Sequence, residues 1–147
     1  LVGSEMCIRD RNVGVSISRK VIDRSLDRRR TLSRVRGVER FVGDATPRLL
    51  SSAEVLGQAV DRPCPVCGRH DLRETQWIHG DVLGEKSGTA RSVREINGVI
   101  DALVNVQQDA EFSIHTVEVC MKCRWNHLIR EELIGITIDN QETRLVE

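Results

Sequence analysis

Two pairs of cysteines carry the clearest chemistry in this sequence. Cys64 and Cys67 form one Cys-x-x-Cys couple, and Cys120 and Cys123 form the other. The two-residue spacing lets both sulfurs of a couple reach one ion from a single tight turn, and four thiolates complete a closed tetrahedral site. The pattern therefore predicts a structural zinc ion, Zn²⁺, held by the four cysteines.

Two histidines near the couples leave other ligand sets open. His70 follows Cys67 by three residues, and His127 follows Cys123 by four. A histidine in place of a cysteine would leave an exchangeable position, as a catalytic zinc requires. Because four cysteines already close the site, the sequence favours a hydrogen-bonding or surface role for both histidines. A thioredoxin-type dithiol fits poorly, since it needs a single couple in a βαβ setting.

The metal is expected to contribute to folding, because the core has few large aromatic side chains. The 147 residues include two Phe, two Trp and no Tyr. A structural zinc site contributes roughly 10 kcal/mol of apparent binding free energy, which is comparable with the whole stability of a small domain. We therefore expect the metal to be part of the fold.

Charges are segregated along the chain although the formal net charge is zero. Between Ser16 and Arg40 nine basic residues face three acids, whereas from Phe41 onward eleven basic residues face seventeen acids. Such a basic arm could contact nucleic acid or an acidic protein, or it could be solvated or docked on the protein's own acidic body. The candidate contacts are Arg19, Arg24, Arg28, Arg29, Arg30 and Arg34.

Apolar spacing predicts two helices before the first couple. Apolar residues recur at near-helical intervals from residue 16 to residue 36, which indicates a long helix with an arginine-rich face. A second helix has Asp44 or Thr46 as its cap, Pro47 in its first turn and Gly57 at its end.

The second half of the chain reads as strands with one inserted helix. Ser92 and Glu95 match a capping box, which predicts an amphipathic helix over residues 92–105. Glycine-rich residues 88–90 read as a loop. The predicted strands cover residues 72–79, 111–119 and part of 125–138.

These elements predict an α+β fold. We expect a small antiparallel, zinc-ribbon-like sheet with an inserted helix, and two N-terminal helices that cover one face. The predicted organisation is a disordered or artefactual leader (1–15), a basic helical arm (16–60), a zinc-ribbon-like domain with a helical insertion (61–138) and an acidic tail (139–147).

The first eleven residues resemble a translated sequencing-adapter read-through, so they are set aside from the fold. No apolar run approaches the roughly 20 residues that span a bilayer, and no signal peptide is recognisable. We therefore expect a cytoplasmic protein without membrane contact.

Aromatic residues near the second couple suggest a further site. Trp125 and His127, together with Trp77, could form a stacking platform for a base or a peptide. Both tryptophan rings could equally cover the sheet, as rings do in a core with few aromatics.

Five segments, in order, carry a resemblance to a known family: residues 44–50, 64–67, 77–84, 87–91 and 117–128. Through them, most of the chain resembles a family of small actinobacterial proteins of unknown function that carry a zinc-ribbon-like cysteine pattern. The resemblance implies a metal-binding protein and carries over no activity.

Three functions remain open at this point. The first is a non-enzymatic, zinc-stabilised binding module that contacts nucleic acid or the transcription or translation apparatus. The second is a zinc-thiolate redox sensor. The third is a hydrolase-type enzyme with an open Cys/His zinc site.

Overall fold

The computed structural model describes the backbone of residues 2–10 and 13–140 and the side chains of residues 14–139. Over this part of the chain there are seven strands, three α-helices and a 3-10 helix at Asp81–Lys86. The strands are β1 (Val2–Asp10), β2 (Val13–Asp23), β3 (Gln58–Ala59), β4 (Leu72–His79), β5 (Thr89–Arg91), β6 (Ala110–Cys120) and β7 (Asn126–Asn140). The helices are α1 (Ser25–Val35), α2 (Pro47–Val55) and α3 (Val93–Asn105).

All seven strands join one antiparallel sheet. Its order is β1-β2-β7-β6-β4-β3, and β5 pairs with the outer edge of β4 beside β3. The register between β6 and β7 shifts at Thr116/Val117, where an extra residue interrupts the ladder. The fold is therefore α+β with an antiparallel sheet, as predicted at that level.

The helices cover both faces of the sheet. Ala53 of α2 packs on Val119, whereas Ile96 of α3 packs on Phe112 and Leu32 of α1 lies beside Cys120 on the opposite face. This follows from the strand period of two, which sends Val119 and Cys120 to opposite sides. The prediction that the two N-terminal helices share one face is wrong, because α1 and α2 lie on different faces.

The predicted long helix over residues 16–36 is also wrong in its first half. Residues 13–23 form strand β2, which pairs along its length with β7. Val15, Ile17 and Val21 alternate with polar residues, a period-two pattern rich in β-branched side chains that suits a half-buried strand. The helix begins at Ser25, whose backbone N–H donates to the Asp23 carboxylate at 2.7 Å.

The sheet runs across the predicted segment boundaries. Residues 2–10, predicted as part of a leader, pair with β2, and β2 and β3 of the predicted arm lie in the same sheet as β4, β6 and β7. Of the predicted tail, Asp139 and Asn140 complete β7, and residues 141–147 lie outside the described residues.

Several local predictions are confirmed. Thr46 caps α2 by accepting from the Leu49 backbone N–H at 3.1 Å. Ser92 and Glu95 form both bonds of the capping box at the start of α3. The loop predicted at residues 88–90 is in part a strand, because β5 pairs with β4 over three residues, in addition to the pairing of β4 with β3 and β6.

Candidate metal centre

The two Cys-x-x-Cys turns have similar backbone conformations. The residue after each couple has left-handed backbone angles, with φ of 74° at Gly68 and 66° at Arg124. In the first turn the Gly68 N–H donates to the Cys64 carbonyl at 3.0 Å, and in the second the Arg124 N–H donates to the Cys120 carbonyl at 3.1 Å. Glycine adopts such angles without strain and arginine does not. The backbone conformation at Arg124 is therefore stabilised by contacts of the second turn with its neighbours.

Backbone amides in both turns also point at sulfur. The Val66 N–H donates to Cys64 Sγ at 3.4 Å, and the Cys123 N–H donates to Cys120 Sγ at 3.4 Å. Each turn is closed at its base, since the N–H of Cys64 donates to the Arg69 carbonyl and that of Cys120 to the Trp125 carbonyl, both at 2.8 Å. Amide donors of this kind stabilise a thiolate ligand.

The four sulfurs form one compact group. All lie within 4.8 Å of one another, and the Sγ–Sγ distances are 3.6 Å for Cys64 to Cys123 and 3.6 Å for Cys67 to Cys120. A tetrahedral ion with metal–sulfur bonds of about 2.3 Å implies sulfurs about 3.8 Å apart, whereas a disulfide needs about 2.05 Å. The group therefore fits a metal ion bound by four thiolates.

Burial of the sulfurs is uneven. Cys64 and Cys120 are buried, Cys123 is half-buried and Cys67 is exposed. Burial raises the pKa of Cys64 and Cys123. Burial also acts to raise the pKa of Cys67, but hydrogen bonding, first from the Arg69 backbone, outweighs it and leaves that pKa lowered. A bound cation would stabilise all four as thiolates.

Neither histidine near the couples joins this group. Among the described residues, the four cysteines form the one cluster of three or more donors that could hold a metal ion. His127 is engaged elsewhere, because its Nδ1 lies 2.6 Å from the Leu128 carbonyl oxygen and its Nε2 lies 3.3 Å from Thr31 Oγ1. His70 is exposed on the surface.

A buried carboxylate next to the centre was missed by the sequence analysis. Glu118 is fully buried and accepts hydrogen bonds from Arg28 Nε, from Arg62 Nη2 at 3.0 Å and from Trp125 Nε1 at 3.1 Å. Burial alone would raise the pKa of Glu118, but these three donors lower it. The only sequence signal was an acid between two valines in a predicted strand, which does not reveal its partners.

This network ties α1 to the cysteine turns. Glu118 and Arg62 each precede a cysteine by two residues, and Trp125 follows one by two. Arg28 is the only member from α1, and Arg62 also pairs with Glu74 at 3.0 Å. The position of α1 therefore depends on the same segments that bring the sulfurs together.

Some arginines of the predicted basic surface form ion pairs with acids of the same chain. Arg28 binds Glu118, and Arg24 binds Glu131 at 2.7 Å. Arg30 lies 3.9 Å from Asp27. Within the described part of the chain, no ion pair involves Arg19, Arg29 or Arg34.

The two tryptophans do not form a joint platform. Trp125 is 2% exposed and lies beside Glu118 on one face of the sheet. Trp77 points to the opposite face, where the Arg48 guanidinium lies 5.3 Å from its ring centroid. The predicted stacking surface that combines both rings is therefore wrong.

The fold and this centre define a small α+β protein with four cysteines positioned to hold a metal ion. The chain belongs to a family of unknown function, DUF5318, whose model matches residues 15–146. It is similar to the uncharacterized proteins Rv0049 of Mycobacterium tuberculosis (strain H37Rv) and Mb0050 of Mycobacterium bovis, with 36% identity over 94 residues in each case.

Those matches cover 64% of this chain and 64% of each relative. The predicted resemblance to uncharacterised actinobacterial proteins is confirmed by the family and by these mycobacterial relatives. No solved structure is significantly similar to the chain. None of the described helices is both long and apolar enough to cross a membrane.

Proposed function

We propose that this protein is a non-enzymatic, zinc-stabilised binding module with a zinc-ribbon-like centre. The observation that carries the proposal is the closed group of four sulfurs, contributed by two matching turns with amide donors directed at sulfur. Bound Zn²⁺ would cross-link the two turns and supply no redox chemistry of its own. Four-sulfur tetrahedral sites favour zinc or iron among the common metals.

A structural role follows from the composition of the ligand set. Four cysteines fill a tetrahedral coordination shell, so no position is left for a water molecule or a substrate. The binding function is assigned to the arginines that the protein's own acids leave unpaired, and the proposed partner is nucleic acid, whose phosphates attract such a surface.

Metal analysis by mass spectrometry tests the metal assignment. We expect one zinc per chain in the purified protein, lost when any of Cys64, Cys67, Cys120 or Cys123 becomes Ser. His70→Ala and His127→Ala serve as controls and should retain the metal. Loss of zinc in either histidine variant, or its retention in a cysteine variant, would contradict a closed four-cysteine site and favour an exchangeable position.

The exposure of Cys67 favours a second candidate function, a redox sensor. Hydrogen peroxide could oxidise the Cys67 thiolate to a sulfenic acid with release of hydroxide, which takes up a proton to form water. Attack by the Cys120 thiolate, whose sulfur lies 3.6 Å away, would then form a disulfide, release a second water after protonation and remove two metal ligands. Zinc release by mild peroxide, reversed by a thiol and accompanied by a Cys67–Cys120 disulfide in peptide mapping by mass spectrometry, would support this function. Unchanged zinc retention would exclude it.

A further inference from the structure

Two cavities flank the Phe41 ring next to the cysteine turns. One has a volume of about 420 Å³ and is bounded by Arg36, Arg40 and the exposed Cys67, among others. The other has a volume of about 510 Å³ and is bounded by Thr31, Trp125 and His127, among others. Val35 and Phe41 line both cavities, so the two cavities adjoin at these side chains. Together the two cavities are here called the Phe41 groove.

The rings in the groove are in contact with one another and with their neighbours. The His127 ring stacks on buried Trp125 with centroids 5.9 Å apart and an interplanar angle of 17°. Contacts of both His127 nitrogens, with Thr31 and with the Leu128 carbonyl, hold the imidazole in place. The Phe41 ring is tilted by 57° relative to Trp125, with ring centroids 6.3 Å apart. Rings held in this way suit stacking with a planar ligand.

The rim of the groove is positively charged. Arg36 and Arg40 are exposed and, in the part of the chain that the structure describes, form no ion pair. Arg34 is exposed as well and lies one turn beyond Thr31 on α1. Two exposed carboxylates lie nearby. Asp44 lines the second cavity and accepts a hydrogen bond from Asn126 Nδ2 at 2.8 Å, and Glu39 precedes Arg40 in sequence. The three arginines therefore outnumber the acids.

The second cysteine turn fixes the wall of the groove. The Gly43 N–H donates to the Cys123 carbonyl at 2.8 Å, and the Ala45 N–H donates to the Arg124 carbonyl at 3.3 Å. A Cβ atom at Gly43 would lie 2.0 Å from the Arg124 carbonyl oxygen. The segment after Phe41 therefore runs in direct contact with the metal-binding turn.

We propose that the Phe41 groove binds single-stranded nucleic acid. An unpaired base would stack against Phe41 and His127, and neighbouring phosphates would lie on Arg36 and Arg40. Single strands are bound by this combination of a positive groove with aromatic side chains, whereas paired bases in a duplex are not free to enter a groove between rings. The inference rests on the proposed nucleic-acid function. It adds which surface of the protein binds the nucleic acid and that the bound nucleic acid is single-stranded.

Fluorescence anisotropy with a labelled oligouridine of about twelve nucleotides, in the range that small single-strand modules cover, tests the inference. The zinc-loaded full chain is compared with Phe41→Leu, which keeps an apolar side chain and removes the ring. Loss of a stacked base should weaken binding about tenfold. The double variant Arg36→Ala/Arg40→Ala loses two phosphate contacts. The slope of the logarithm of its binding constant against the logarithm of the salt concentration should therefore be smaller in magnitude by about 1.4.

Arg94→Ala is the matched control, because Arg94 is an exposed arginine on α3 outside the groove. It should bind as the unmodified chain does. Circular dichroism of each variant checks that the fold is retained. A duplex of the same length and an acidic peptide are measured in parallel, and both should bind more weakly than the single strand.

Each other outcome has a distinct meaning. Equal binding of duplex and single strand, unaffected by Phe41→Leu, would overturn the groove and leave nucleic-acid binding in place. Preferential binding of the acidic peptide would overturn the inference in favour of a protein partner. If neither nucleic acid binds at low salt, both the inference and the proposed nucleic-acid function fail.

Discussion

At the scale of single residues, Glu118 is the most consequential side chain outside the cysteine group. Glu118→Gln keeps the shape but leaves Arg28 and Arg62 without their shared carboxylate. Removing one partner of a buried ion pair costs 3–5 kcal/mol, and since these arginine side chains are 25% and 40% exposed, we expect about 2 kcal/mol. Urea unfolding measures the change, with exposed Glu111→Gln on the same strand as control. Equal midpoints for all three proteins would show that the network contributes nothing.

Also at this scale, the raised pKa values of Cys64 and Cys123 set the pH dependence of metal binding. With their pKa raised, both thiols hold protons at neutral pH until a cation displaces them, so metal binding releases protons. Zinc affinity should therefore fall by about a hundredfold or more for each pH unit of acidification near neutrality. Competition titrations with a chromophoric chelator at several pH values measure this slope. A pH-independent affinity would contradict protonated thiols.

At the scale of elements, two glycines offer a matched test of how closely the segments pack. A Cβ at Gly43 would meet backbone atoms of Arg124 and Trp125 within 2.6 Å, whereas a Cβ at Gly98 in α3 would meet nothing within 4 Å. Gly43→Ala should destabilise the protein by about 1–3 kcal/mol through overpacking. Gly98→Ala should stabilise it by about 0.5–1 kcal/mol through helix propensity. Thermal unfolding measures both, and a neutral Gly43→Ala would show that the segment after Phe41 can move.

The elements also show where sequence reasoning succeeded. The two cysteine turns, the cap of α2, strand β4 and the capping box of α3 were predictable because each depends on residues close together in the chain. Strand β2 was misread because apolar residues at 17, 21 or 22, and 26 fit a helical period nearly as well as an alternating one. Its identity is decided by pairing with β7, more than one hundred residues later. The role of Glu118 depends likewise on Arg28 and Arg62, which are distant in sequence.

At the scale of the whole molecule, metal removal should affect far more than the cysteine turns. Leu32, Leu72 and Trp125 pack in the same cluster as Cys64 and Cys120, and the Glu118 network joins α1 to both turns. We expect a strong chelator to abolish the cooperative thermal transition together with the near-ultraviolet circular dichroism of Trp125. Added zinc should restore both signals. An unchanged transition after verified metal removal would mean that the apolar core is sufficient for folding.

The strand order has a consequence for synthesis on the ribosome. Of the strands that the structure describes, β7 is made last, yet it lies between β2 and β6. A nascent chain that has emerged as far as residue 124 holds all four cysteines of the two turns, but β2 still lacks the neighbour that joins it to β6. The metal-binding half can thus close early, while β2 keeps one edge unpaired until β7 has emerged.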